Sequence, residues 1–228
     1  MLAVDRLNLR LEKGSITALL GGNGAGKTTT LSMLLGLLKP SSGMIELFGE
    51  NFIENRFSVL GRMNFSSPYV DLPQRLTVRQ NLSVYGRLYG VENVSRRIAE
   101  LVAQFRLEDL LDRRLRRLSS GQKTRVSLAK SMINRPEFLL LDEPTASLDP
   151  ETTSWIRDLL DQYRKESGAT ILFASHDMRE VELLCDDVLL LRQGKLVEKG
   201  SPRELLSKYD HQTLEEVFLQ VSKQGGEA

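Results

Sequence analysis

Residues 21–28 read Gly21-Gly22-Asn23-Gly24-Ala25-Gly26-Lys27-Thr28 and fit the pattern G-x-x-x-x-G-K-[ST]. Glycines let a backbone wrap closely around a polyphosphate, so that its N–H groups face the negative charge. The lysine that follows reaches the outer phosphates, and the Thr28 hydroxyl is suited to a Mg²⁺ ion. The plainer alternative is a glycine turn that happens to precede a helix. A second group closes an apolar run, Phe138-Leu139-Leu140-Leu141, with Asp142-Glu143-Pro144. Acids at the carboxyl end of a sheet strand stand where ligands bind in open α/β sheets. Asp142 is suited to hold Mg²⁺ through water, and Glu143, on the opposite face, to polarise the water that attacks the γ-phosphate. Taken alone, the pair also reads as acids at a helix start. His176 follows the apolar run Thr170–Ala174. A neutral imidazole there can hydrogen-bond the γ-phosphate or hold the attacking water, and a structural histidine is the competing reading.

These groups need strands and helices to aim them. Leu7, Leu9 and Leu11 alternate with polar residues, which predicts a half-exposed strand, and Ile16–Leu20 predicts a buried one ending at Gly21. Leu31, Leu34, Leu35 and Leu38 have helical spacing, so a helix is expected over Thr28–Leu38, stopped by Pro40-Ser41-Ser42-Gly43. Met44–Phe48 predicts another strand, and residues 78–118 change to an arginine-rich helical periodicity that reads as an inserted lobe. Then follow a helix from about Gln122 to Asn134, a strand Phe138–Leu141, a helix near Trp155–Lys165 and a strand Thr170–Ala174. Such alternation implies an α/β fold, a mainly parallel sheet covered by helices. Asp187–Leu191 and Lys195–Glu198 flank Arg192-Gln193-Gly194 as a hairpin, and the tail from Pro202 is expected to be helical until Gly225-Gly226.

Composition narrows the function classes. The chain has 228 residues, and 31 Lys and Arg against 30 Asp and Glu leave a formal charge of +1, so nucleic-acid binding driven by net charge is not expected. One cysteine, Cys185, excludes an intrachain disulfide and fits a reducing cytosol. The apolar stretches around Leu31–Leu38 and Val188–Leu191 fall well short of the roughly 20 residues that span a bilayer. Asp5, Arg6 and Arg10 interrupt any export signal.

The ordered set of motifs resembles the nucleotide-binding subunit of ABC transporters over nearly the whole chain. Besides the two groups above, Leu118-Ser119-Ser120-Gly121-Gln122 is similar to the family's LSGGQ signature, Ser147-Leu148-Asp149 to its D-loop, and His176 to its switch histidine. The signature also makes sense physically, since Ser119, Ser120 and Gly121 open a helix whose N–H groups favour a phosphate; alone, Ser119 reads as a helix cap. The resemblance implies a P-loop NTPase core with a mainly parallel sheet, an antiparallel β portion and an inserted α-helical subdomain. It divides a single ATP-binding domain into a core of 1–66 and 119–228 and a helical subdomain of about 67–118. ATP and Mg²⁺ are the implied cofactors. Residues 21–28 together with Thr29, Ser119, Ser120, Gly121, Gln122 and Asp149 are expected to bind nucleotide, with Thr28, Asp142 and Ser66 on the metal and Glu143 and His176 in catalysis. In the family two copies pair head to tail, so the signature of one covers the ATP of the other. The implied partners are therefore a second, identical or homologous copy and membrane-spanning permease subunits, which would keep the chain on the cytoplasmic face of the membrane.

Departures from the family pattern are as informative. In Met63-Asn64-Phe65-Ser66-Ser67-Pro68, Ser66 takes the place of the usual glutamine, whose longer side chain meets the metal, so hydrolysis is expected to be slower or differently coupled. The chain begins too late to include the usual adenine-stacking aromatic, leaving apolar side chains near Val4 or an earlier natural start. Gly22 stands where proline is commoner and Ser120 where glycine is commoner. Thr213–Leu219 resembles an ending of subunits that export drugs, lipids and related compounds, and also reads as an amphipathic helix packing Leu214, Val217 and Phe218 on the core. Arg113, Arg114, Arg116 and Arg117 read as a solvated basic face, or as a contact to the membrane subunit or lipid headgroups. The rival class, an ABC protein acting on DNA or the ribosome, lacks here the coiled coils or the duplicated cassette it needs. A GTPase is not expected, because Ser207-Lys208-Tyr209-Asp210 does not make a guanine-reading N/T-K-x-D.

Overall fold

The computed structural model describes residues 2–68 and 70–223. In chain order the elements are β1 (Ile16–Leu20), α1 (Lys27–Leu34), β2 (Glu46–Leu47), β3 (Glu50–Asn51), α2 (Arg56–Gly61), β4 (Met63–Ser66), α3 (Val78–Leu88), α4 (Val94–Phe105), α5 (Ser120–Ser131), β5 (Phe138–Asp142), α6 (Pro150–Ser167), β6 (Thr170–Ala174), α7 (Met178–Leu184), β7 (Asp187–Arg192), β8 (Lys195–Gly200), α8 (Pro202–Tyr209) and α9 (Leu214–Lys223). Two 3-10 turns, Glu108–Leu110 and Leu115–Arg117, lie between α4 and α5. The chain divides into two compact units, one holding the residues up to 60 and from 170 onward, the other residues 61–169.

In the first unit β1 lies parallel to both β6 and β7, with Ile16 opposite Ile171 and Thr17 opposite Asp187. All of β1 is buried, and its continuous apolar run is what a strand flanked on both sides in a parallel sheet requires. β8 pairs antiparallel with β7 across Gln193 and Gly194, both with positive φ, as expected for a tight two-residue hairpin. Leu205, Leu214, Val217 and Val221 bury the inner faces of α8 and α9. The tail is thus helical as expected but in two pieces, broken where Asp210 turns left-handed; Gly225 and Gly226 lie outside the described residues.

Three expectations for this unit need correction. No ladder forms over Leu7–Leu11: the leucines are half-buried and their neighbours exposed, yet the segment pairs with no strand among the described residues. The alternation records burial, which is necessary for a strand but does not make one. α1 ends at Leu34 rather than Leu38, because Gly36 adopts φ 67 and Leu37 N–H bonds back to Ser32 O at 2.9 Å, closing a Schellman stop. Leu38, counted as helical from its spacing, is exposed at 47%, and Leu37, inside the expected range, at 71%. The strand expected over Met44–Phe48 shrinks to the two residues of β2, paired with β3.

In the second unit β4 and β5 run parallel, from Met63 opposite Phe138 to Ser66 opposite Leu141. Helices α3 and α4 form the expected helical segment. Val78 and Leu82 on one and Ile98, Leu101, Val102 and Phe105 on the other are all buried, the i, i+3, i+4 stripe that drives such a pair together. α3 starts at a full capping box of Thr77 and Gln80, and the chain on either side of it is clipped to residues 111–116 by Val78 N–H to Arg113 O and Leu115 N–H to Leu76 O.

Candidate nucleotide site

The glycine loop leaves the buried end of β1 and turns straight into α1. Gly26, the N-cap of α1, has φ 102 and provides no side-chain cap. A Cβ there would stand 2.7 Å from Ala3 O, so only glycine fits. No acid occupies the first turn of α1. A helix start with neither a side-chain cap from Gly26 nor an acid in its first turn is the arrangement that receives an anion. Gly22 and Gly24 have open space where a Cβ would be, and Asn23 is exposed beside them. The Lys27 ammonium folds over the loop and donates to the carbonyls of Gly21 and, at 3.3 Å, Gly22. Ala25 is buried as the loop's anchor, Thr29 is half-buried, and the exposed Thr28 hydroxyl makes no hydrogen bond to the described residues. In the same unit His176 is exposed at the end of β6. It sits in a tight turn in which Ser175 Oγ accepts from Asp177 N–H and the Asp177 carboxylate caps α7, a helix that sequence reading missed.

The acids lie in the other unit, at the carboxyl end of β5. Glu143 has φ 48, a left-handed backbone that costs about 1–2 kcal/mol in a residue with a Cβ and is characteristic of functional positions. Asp142 is half-buried, and its Oδ2 accepts a hydrogen bond from Ser67 Oγ at 3.0 Å. Ser66, the residue expected on the metal, does not meet Asp142. It is only 5% exposed, and its hydroxyl pairs with Ser127 Oγ on α5 at 2.9 Å. The physical reason is alternation: consecutive residues of an extended chain point to opposite sides, so only one of the two serines can face the acid.

The signature segment starts α5 through a capping box. Ser119 Oγ accepts from Gln122 N–H at 3.3 Å, and Gln122 Oε1 accepts from Ser119 N–H at 3.0 Å. Ser119 and Ser120 are exposed, and a Cβ on Gly121 would lie 3.1 Å from Ser147 O, so the D-loop packs against the start of this helix. Asp149 caps α6, with one carboxylate oxygen on Thr152 N–H at 2.9 Å and the other on Thr152 Oγ1 at 2.7 Å. These bonds hold its carboxyl below the usual carboxylate range.

Sequence reading also missed Lys130, further along α5. It is buried at 5% exposure and donates to Phe65 O at 2.8 Å, with its ammonium 4.7 Å from the Phe65 ring and 5.4 Å from that of Tyr85. No carboxylate pairs with it among the described residues, and burial pulls its ammonium from 10.5 down to about 8. A lysine five residues past an arginine reads as helix surface, so nothing in the spacing marked it as buried.

Each unit, taken by itself, carries an oxygen donor of the type that Mg²⁺ accepts. No group of three or more His, Cys, Asp or Glu among the described residues could hold a metal by itself. Mg²⁺ needs no such cage, since it is held by one or two protein oxygens and by phosphates. In one unit the Thr28 hydroxyl, which makes no hydrogen bond to the described residues, is that kind of donor, and in the other so is the strand-end carboxylate of Asp142.

Comparison with known proteins agrees. The family model described as ABC transporter matches residues 4–146. The bacitracin transport ATP-binding protein BcrA of Bacillus licheniformis is 39% identical over 215 residues, covering 93% of this chain and 69% of that protein. The ABC transporter ATP-binding protein NatA of Bacillus subtilis (strain 168) is 35% identical over 220 residues, covering 95% and 89%. A solved ATP-binding subunit of an ABC transporter superposes with a TM-score of 0.89 at 25% identity, covering 97% of this chain and 93% of that one. With its glycine loop, strand-end acids and capped signature helix in family order, the chain belongs to the ABC transporters.

Proposed function

We propose that this chain is the ATP-hydrolysing subunit of an exporter. The observation that carries the reading is the start of α1, an uncapped helix entered through glycines with the Lys27 ammonium laid across the loop. In this reading the loop N–H groups, Lys27, Thr28 and Thr29 hold the phosphates of ATP, while Thr28 and Asp142 supply oxygens to Mg²⁺, which neutralises phosphate charge when bound. Glu143 polarises the attacking water and His176 orients it against the γ-phosphate. Ser119, Ser120 and Gly121 of a second copy close over the nucleotide, because their exposed hydroxyls and N–H groups add contacts to ATP that exist only in the closed dimer. Asp149 sets the loop that meets the second copy.

Export is supported by the relatives: one is named for bacitracin transport, and others at 37% identity for Nod factor export. No described helix is long and apolar enough to cross a membrane, so the substrate path is assigned to separate membrane-spanning subunits that hold this chain at the inner face of the membrane. Residues 67–118 are assigned to the helical subdomain that passes movement to them.

Glu143→Gln tests the catalytic assignment. The variant is expected to bind ATP and accumulate ATP-dependent dimers by size-exclusion chromatography, with hydrolysis lowered on the order of 10²-fold or more. Turnover at the unsubstituted rate removes Glu143 from its role.

A further inference from the structure

We infer that Ser67, not Ser66, is a positioning residue for the metal-side carboxylate. The inference rests on the reading of Asp142 as a Mg²⁺ donor.

The argument starts from register. β4 and β5 are parallel and paired through Ser66 and Leu141, so one step further along each strand brings Ser67 beside Asp142. Alternation then sends Ser66 to the other side, into α5. Both contacts are made: Ser67 Oγ donates to Asp142 Oδ2 at 3.0 Å, and Ser66 Oγ pairs with Ser127 Oγ at 2.9 Å. The end of β4 is pinned further by Lys130 Nζ to Phe65 O at 2.8 Å and by Asn64 Nδ2 to Asn134 Oδ1 at 2.8 Å. A donor on a backbone held at this many points offers its proton along a fixed line. By engaging Oδ2, Ser67 fixes the carboxylate's rotation and leaves Oδ1 facing away from Ser67. A hydrogen bond to a charged, half-buried acceptor is among the stronger ones. Ser66 cannot substitute, since its hydroxyl is engaged with Ser127 and almost excluded from solvent.

The test uses the purified full-length chain and a fluorescent ATP analogue, whose affinity is measured across free Mg²⁺ concentrations and again in EDTA. Ser67→Ala is expected to raise the Mg²⁺ concentration for half-maximal tightening about tenfold, as loss of a charge-assisted hydrogen bond implies, and to leave affinity in EDTA unchanged. Ser67→Thr, which keeps the hydroxyl, is expected to stay within about twofold of the parent. Ser66→Ala is expected to leave the Mg²⁺ requirement within about twofold. The inference is overturned if Ser67→Ala leaves the Mg²⁺ requirement unchanged, if it weakens binding equally in EDTA, or if Ser66→Ala produces the larger shift. Asp142→Asn separates the two levels. If it leaves the Mg²⁺ requirement unaltered, the reading of Asp142 fails first; if it raises it while Ser67→Ala does not, only the role of Ser67 is lost. Should Ser67→Ala not fold, Ser67→Cys, a weak donor of similar volume, is expected to show the same Mg²⁺ shift, and its absence overturns the inference equally.

Discussion

Lys130 carries the clearest energetic signature of any single side chain here. Among the described residues its buried ammonium meets no carboxylate but rather the Phe65 carbonyl, Asn64 Oδ1 at 3.5 Å and two ring faces, and burial brings its titration from 10.5 down to about 8. Between those two pH values the unfolded chain keeps a proton that the folded one has released. Stability from this group therefore rises as pH climbs through that window, and below about pH 8 the whole cost of burying the charge is present. Lys130→Met is expected to be more stable than the parent at pH 7 by about 2 kcal/mol, the linkage of about 3 kcal/mol less one hydrogen bond of about 1 kcal/mol. The difference should shrink toward pH 10, as read from urea midpoints at each pH. A less stable variant at pH 7 would show that the ring and carbonyl contacts outweigh desolvation. Legibility at this scale was uneven. The loop of Gly21–Thr28 before a helix and the strand-end placement of Asp142 and Glu143 could be read, because residue type and spacing mark both. Ser67 and Lys130 could not, since their roles come from strand register and burial, which a one-dimensional pattern does not carry.

At the scale of elements, the start of α5 shows a motif at work in the fold, on the same residues to which the proposed function gives a ligand role. Ser119 and Gln122 satisfy each other's backbone donors, and Thr77 and Gln80 do the same for α3. Ser119→Ala and Thr77→Ala should each lose about 1 kcal/mol of stability in urea unfolding. Only Ser119→Ala should also weaken ATP-dependent dimerisation, seen by size-exclusion chromatography with Glu143→Gln as background. Equal effects on the dimer would reduce Ser119 to a cap. β1 and β6 match the sequence reading residue for residue because each is a short, mostly apolar run bounded by turn signals. α7 escaped notice because its seven residues are too few to establish a period, and its start is set by the Asp177 cap. α6 extends from Pro150 to Ser167, well beyond the stretch expected near Trp155–Lys165, because an Asp cap with proline at one end and the left-handed Gly168 cap at the other set its length where apolar spacing does not.

Across the molecule, near-neutral total charge conceals local imbalance. Arg113, Arg114, Arg116 and Arg117 are all exposed, and Arg113, Arg114 and Arg117 line a cavity of about 750 Å³ with Thr77 and Asp112. The interior, by contrast, is mainly apolar, and Cys185 belongs to it at 7% exposure. Desolvation pushes its thiol far above the usual range, followed by repulsion from Asp186 and Glu180. The native chain should therefore react with an aromatic disulfide reagent on the order of 100-fold more slowly than free cysteine, followed by absorbance. Rapid stoichiometric release of the chromophore would contradict that burial. The practical dividend is a chain that is chemically silent toward sulfur reagents while keeping its only sulfhydryl. A spin label on Ser120→Cys would report from the mouth of the signature helix against no background, with the interior left as it is.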